Sequence, residues 1–402
     1  MRIVALTTIV LCAAPAAQGA PNARIDTIDG RHLSGALLID GNGHATVTGE
    51  ATVELGLDEI AAVEFAATQQ ANLPERPHRV WLRSGAEFEA VALRGLPAGD
   101  GKPARLGVEL ALGCTLDLPF GAVRAFRMGG AGRAEPASFA RDLDAPSDNT
   151  DLLYVQKDDK QYRFQVTITG MSATAIEFDL RGEARDFACD GLLGAVFGKN
   201  TGFAADRQPQ PRVAVDFDST DHLEGKLLGL GAELTLRLDE GAEVRVPITH
   251  VMRLGVASNR QRWLSDMTPE VEQTPAFDRI WPWLRNRTLA GPNLVLGGRS
   301  WSRGIFMVPR TRLTYDLDGK YDVFDAILGI DDRGGPQAHA LFRVYVDGKV
   351  AFESQPCMRG MPPQAVHLEL GRCKKLAIEA DFGKNYDLGD YCVFADARVM
   401  QR

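Results

Sequence analysis

The chain has 402 residues, 45% of them hydrophobic and 24% charged, with a formal net charge of −8. That length gives room for two to four domains, and the apolar share supplies an ordinary globular core. The acidic balance argues against nucleic acid, which selects for a basic surface.

Arg2 opens the chain and the apolar run Ile3 to Ala14 follows it, with small residues at Ala16, Ala17, Gly19 and Ala20. This order predicts a secretory signal over 1–20, removed on export, and the run is short for a membrane span. Cys12 follows Leu11, where a lipoprotein signal wants a small residue. No other long apolar segment follows, so no stable membrane span is expected after cleavage. An extracellular or periplasmic, cell-envelope location is expected. Cys114, Cys189, Cys357, Cys373 and Cys392 remain. Five is odd, so at least one thiol stays unbridged or pairs between chains. The three in the C-terminal part could supply one bridge or serve as small buried hydrophobes, and none has zinc-ligand spacing.

A weak internal repeat comes next, predicting small β units over 21–66, 78–128, 150–198 and 211–256. Their closing segments, LDEIAAVEF, LPFGAVRAF, CDGLLGAVF and PITHVMRLG, share a rhythm that predicts a short helical turn feeding a strand. Asp29-Gly30 and Ser84-Gly85 are turn signals. Frequent glycine and short alternating apolar runs predict β structure throughout, with barrel-like or sandwich-like units stacked or paired. Such units suit a scaffold or, alternatively, a binding array. Polar connections join them, and a major boundary falls near Ala257.

From 257 to 402 the pattern is a single jelly-roll β-sandwich of about eight short strands. Leu313, Tyr315 and Leu317 alternate with polar residues, as do Phe324, Ala326, Leu328 and Ile330. Asp318-Gly319 between them predicts a tight hairpin, and Asp347-Gly348 predicts another. The fold class expected for the chain is therefore all-β, a C-terminal jelly-roll β-sandwich preceded by about four small repeated β units.

Four pieces of this region carry a family resemblance: WLSDMTP at Trp263 to Pro269, GRSWSRGI at Gly298 to Ile305, RLTYDLDGKYDVFDAILGIDD at Arg312 to Asp332, and DYCVFADARV at Asp390 to Val399. In order and spacing the segment from about Arg262 to Arg402 resembles the NPCBM family of carbohydrate-binding modules. The resemblance implies a galactose-binding-like β-sandwich and a glycan or polysaccharide partner. Two departures stand out. The family's His-Ser pair ahead of the central strand is replaced by Val308 and Pro309, and its Trp in the last strand by Phe394.

A sugar site needs an aromatic face for the apolar side of a pyranose and a few fixed polar groups for its hydroxyls. The ligand-binding candidates are Trp283, Trp301, Tyr386, Tyr391 and Asp332, with Trp281 and Phe306 as further aromatics. The alternative for each is packing within the domain. No cofactor is expected beyond a structural calcium, for which Asp331 and Asp332 are the candidate ligands; strand-end aspartates otherwise cap turns. The seven histidines are scattered, and no H-E-x-x-H, G-x-S-x-G or P-loop occurs. No enzyme is expected. A non-catalytic glycan-binding protein is the first reading, a structural or protein-interaction module the second, and a hydrolase or hydrolase accessory the third.

Overall fold

The computed structural model describes residues 19–66, 73–99, 104–199, 209–219 and 221–402. Most of the signal expected over 1–20, with Cys12, lies outside them. The described chain is almost entirely antiparallel β-structure, and one short helix, Phe139–Asp144, interrupts it.

Each closing segment does form a single 3-10 turn feeding a strand. Leu57–Glu59 leads into Ile60–Phe65, Phe120–Ala122 into Val123–Arg127, Cys189–Gly191 into Leu192–Val196, and Ile248–His250 into Val251–Ala257. Leu57 and Ala122 are buried within the first two turns, whereas the other two bury no residue. These closing strands then pair with one another. Val251–Ala257 lies antiparallel to Ile60–Phe65, so the first and fourth stretches share one ten-stranded sheet. Val123–Arg127 pairs with Leu192–Val196, so the second and third share an eight-stranded sheet. One continuous apolar core, running from Ala23 through Phe126 and Leu153 to Val256, spans all four.

The C-terminal region packs two sheets face to face. One contains Gly304–Met307, Cys392–Met400, Val323–Ile330 and Gln364–Glu369; the other contains Glu270–Gln273, Thr311–Asp316, Lys375–Phe382 and His339–Val346. Tyr315, Phe324, Phe342 and Phe394 fill the space between them. The Asp347-Gly348 turn makes the expected hairpin, joining His339–Val346 to Lys349–Glu353. Asp318-Gly319 does not. Both residues take positive φ, 51° and 69°, but the strands on either side belong to opposite sheets. Their apolar faces meet across the core rather than side by side, so the turn is an arch.

The repeats and the sandwich meet through buried polar contacts. Arg253 pairs with Asp396, which also accepts the Trp263 indole N–H at 2.9 Å. Arg398 and Gln261 donate to the carbonyls of Ala61 and Ile60, each at 2.6 Å. Burial by itself would raise the Asp396 pKa, but Arg253 and Arg398 outweigh it and hold the carboxyl below its ordinary range. All five described cysteines are unbridged, with Cys357, Cys373 and Cys392 buried. The first two also rise in pKa through burial.

Candidate functional site

The loops at one end of the sandwich bring together its two exposed aromatics, Phe277 and Tyr386. The segment after Phe382 leaves the sheet through a polar loop in which Tyr386 takes a left-handed backbone, φ 60°. Its ring stands 58% exposed, and Phe277, 61% exposed, meets it edge-on with centroids 5.3 Å apart. Phe382 flanks the other side at 6.2 Å. Ile280 and Leu388 are exposed in the same two loops.

Polar groups frame this cluster. Trp281 donates its indole N–H to Asp387 at 3.0 Å, tying the two loops together, and Arg279 lies 3.6 Å over the Trp281 ring. Arg310 covers Phe382 and donates to Asp381 at 2.6 Å. Burial would raise the Asp381 pKa, yet Arg310 and Arg343 hold it below its ordinary range. Beneath the loop, Asp390 is fully buried. Its carboxyl is pushed up to about 6 by burial, against the lowering bond from the His339 N–H at 2.7 Å. The arrangement offers exposed ring faces with fixed guanidinium and carboxylate groups at their margin, which suits a ligand with one apolar face and peripheral hydroxyls.

The other sequence candidates lie elsewhere. Trp283 packs against the main sandwich core with Arg285 over its ring at 4.9 Å. Trp301 is only 6% exposed and sits between Arg299 and Arg253 at the repeat interface. Tyr391 is half-buried and meets the buried Phe306 edge-on at 5.3 Å. Asp332 accepts the N–H groups of Gly297 and Gly298 at 3.1 and 2.7 Å. Asp331 is fully buried; it accepts the Val295 N–H at 2.8 Å and both the backbone and guanidinium of Arg333. Every oxygen of this pair therefore faces a donor, which does not fit a calcium ion needing six to eight oxygens. Among the described residues, no group of three or more His, Cys, Asp or Glu is placed to hold a metal.

Phe277 and Phe382 were absent from the sequence candidates. Phe277 sits in a stretch with no strand periodicity, and Phe382 ends a strand whose pattern gives no sign of which loop it will meet.

The C-terminal region is thus a two-sheet β-sandwich with an aromatic loop end. Residues 260–400 match the family model for the NPCBM/NEW2 domain, as the motifs from Trp263 to Val399 led one to expect. No curated protein matches the chain. Among solved structures, the chain is similar to the CBM51 module from a Clostridium perfringens GH95 protein in complex with methyl-galactose, at 21% identity and TM-score 0.32, over 35% of this chain and 99% of that one. It is similar to the CBM51-2 and INT domains of Clostridium perfringens ZmpB at 17% identity and TM-score 0.33, over 47% of this chain and 40% of that one. The tandem CBM51 modules of Sp3GH98 from Streptococcus pneumoniae align at 14% identity and TM-score 0.32, over 77% of this chain and 88% of that one.

Proposed function

We propose that the protein is a non-catalytic carbohydrate-binding protein of the extracellular space or cell envelope, with the sandwich recognising a glycan through its loop end. The observation that carries this is the cluster of exposed Phe277 and Tyr386 beside half-buried Phe382, on a domain matching a carbohydrate-binding-module family. On this reading 1–20 is an export signal, the units at 21–66, 78–128, 150–198 and 211–256 are a scaffold, and 257–402 is the binding domain. Tyr386 stacks on the sugar. Trp283, Trp301, Tyr391 and Asp332 act as framework, since each is engaged within the domain. No described helix is long and apolar enough to cross a membrane.

A glycan array probed with the full chain, with and without calcium, tests the reading. Saturable binding to at least one glycan is expected, unchanged by chelator. Phe277→Ala with Tyr386→Ala should weaken it by about tenfold or more, the loss typical of a central aromatic anchor. Binding that the double variant leaves intact would remove this loop end as the site. A second reading, a structural or protein-interaction module, is favoured by the single core shared by all four repeats. It predicts no saturable glycan binding at all.

A further inference from the structure

The twelve-residue strand Lys160–Met171 changes partner halfway. Its first half lies against Asp151–Lys157, and from Thr167 onward its other edge lies against Ala175–Leu180. Thr167 pairs with Asp179, and carrying that register on by two places sets the Arg181–Gly182 turn beside Gln165. From Lys160 to Phe164 this edge therefore has no strand against it. Asp158 and Asp159, with φ 50° and 60°, make the two-residue turn that closes on the pair Lys157–Lys160. Such a turn closes on a hydrogen-bonded pair and the ladder alternates from there, so the N–H and C=O groups of Gln161 and Arg163 point to the open edge. Every residue from Lys157 to Gln165 is exposed.

Tyr162 and Phe164 stand on one face of this arm, 42% and 39% exposed, with ring centroids 6.2 Å apart and planes 13° from parallel. They are the two exposed aromatics among the described residues of the repeats. Their partners across the ladder, Val155 and Leu153, belong to the main repeat core, so the rings carry that core out to an edge that nothing covers. Gln161 and Arg163 lie on the other face, where Arg163 donates to Asp142 at 2.7 Å and Gln161 to the Ala134 carbonyl at 2.9 Å.

We propose that this open edge is a dimerisation surface whose occupant is the same segment of a second copy, added antiparallel about a two-fold axis at Tyr162. The free length fixes that register, because the tip of each arm then ends where the other copy's Arg181–Gly182 turn takes over the edge. Gln161 faces Arg163 of the second copy through the outward backbone groups. Tyr162 faces its own equivalent at a non-hydrogen-bonded position, where side chains come closest. Lys160 faces Phe164 of the second copy on the ring face, which suits an ammonium group over an aromatic ring. The charges agree. The tip carries Asp158 and Asp159, and neither they nor Arg181 has an ion partner among the described residues. The two acids closest to Arg181 are already engaged, Asp179 by the Gly182 N–H at 2.8 Å and Glu183 by Arg185. Lys157 sits on the far strand of the arm, away from the junction. Centring the axis on Arg163 instead would set two guanidinium groups opposite each other and drive the tip into the Arg181–Gly182 turn.

Sedimentation velocity of the full chain over a concentration series tests this. A short strand junction is small beside a standard interface of about 1,600 Å², so a reversible, concentration-dependent dimer is expected. Gln161→Pro removes an outward N–H and leaves the arm's own ladder intact. It should raise the dimer Kd by about tenfold or more, and so should Tyr162→Thr with Phe164→Thr, which takes away the rings. Circular dichroism checks folding, and the exposed threonine pair decides should the proline variant not fold. The register has its own readout. Cα atoms at a non-hydrogen-bonded pair lie about 4.5 Å apart, inside the disulfide range of about 4.4–6.8 Å. With Cys114→Ser and Cys189→Ser removing the two half-buried native thiols, Tyr162→Cys should give a covalent dimer under mild oxidation and Lys157→Cys should not. A chain that stays monomeric throughout the series overturns the proposal. So does a dimer that the threonine pair leaves unchanged, or one that Lys157→Cys links as readily as Tyr162→Cys. Neither readout depends on what the loop end binds.

Discussion

Asp390 shows how one buried group couples the loop end to pH. Its carboxyl titrates near 6 in the folded chain against an ordinary value of 3.8, because burial disfavours the charge and Asp387 adds repulsion. Between about pH 4 and pH 6 the folded chain therefore keeps a proton that the unfolded chain has released. Stability contributed by Asp390 is present below pH 4 and is lost as pH rises through 6, a change of about 3 kcal/mol in total. Asp390→Asn keeps an oxygen to accept the His339 N–H and carries no charge. It is expected to raise the thermal midpoint at pH 7 and to flatten the slope between pH 4 and 6; an unchanged slope would mean that Asp390 is ionised throughout. Asp396 behaves oppositely. Its carboxyl is held low by Arg253 and Arg398 against burial, so its contribution is present at neutral pH and lost in strong acid. Identical residue types thus carry opposite pH signatures because one faces guanidinium groups and the other does not.

At the scale of elements, Gly304 decides whether the sandwich closes. It starts the strand Gly304–Met307, which pairs with Cys392–Met400. A Cβ on Gly304 would run into the carbonyl of Phe394 and stand 2.8 Å from the Ala395 Cα and 2.6 Å from Leu294. All of these are packed, so Gly304→Ala should destabilise the protein by about 1–3 kcal/mol or more through overpacking. Gly348 sets the control: it also has positive φ, but a Cβ there meets open space. Gly348→Ala should cost only the left-handed backbone penalty, about 1–2 kcal/mol. Equal urea midpoints for the two variants would contradict this account. The all-β class, the turn-then-strand closing segments and the sandwich motifs were legible because each rests on local periodicity and turn chemistry. The arch at Asp318-Gly319 was not, since alternating runs that face one core look alike whether they share a sheet or oppose each other across it. The loop-end aromatic cluster was half legible for a related reason. Tyr386 stood out in a polar loop, but its neighbours Phe277 and Phe382 lie 109 and 4 residues away, and only the sandwich brings the two loops together. The pairing of the first repeat with the fourth, and of the second with the third, likewise depends on closing strands that resemble one another too closely for the sequence to match them.

Across the whole molecule, the contacts between repeats and sandwich imply shared stability. Arg253 and Asp396 are each under about a tenth exposed and come from opposite sides of the boundary near Ala257. The hydrogen bonds of Gln261 and Arg398 to Ile60 and Ala61, and the packing of Val323 and Met400 on Ile28 and Ala61, add to the same junction. Unfolding the sandwich alone would expose Arg253 and those two carbonyls to loss of their partners; unfolding the repeats alone would strip Asp396 of its nearest guanidinium. The ten-stranded sheet ties the junction to both ends of the repeat region, because its first and fourth members meet at Ile60–Phe65 and Val251–Ala257. Differential scanning calorimetry of the full chain is therefore expected to show one dominant cooperative transition. Arg253→Ala leaves the buried Asp396 with Arg398 and the Trp263 N–H only, and removing one partner of a buried pair typically costs about 3–5 kcal/mol. That variant should lower the midpoint and split the transition into a repeat component and a sandwich component. Two resolved transitions already present in the unmodified chain would show that the junction does not couple the two regions.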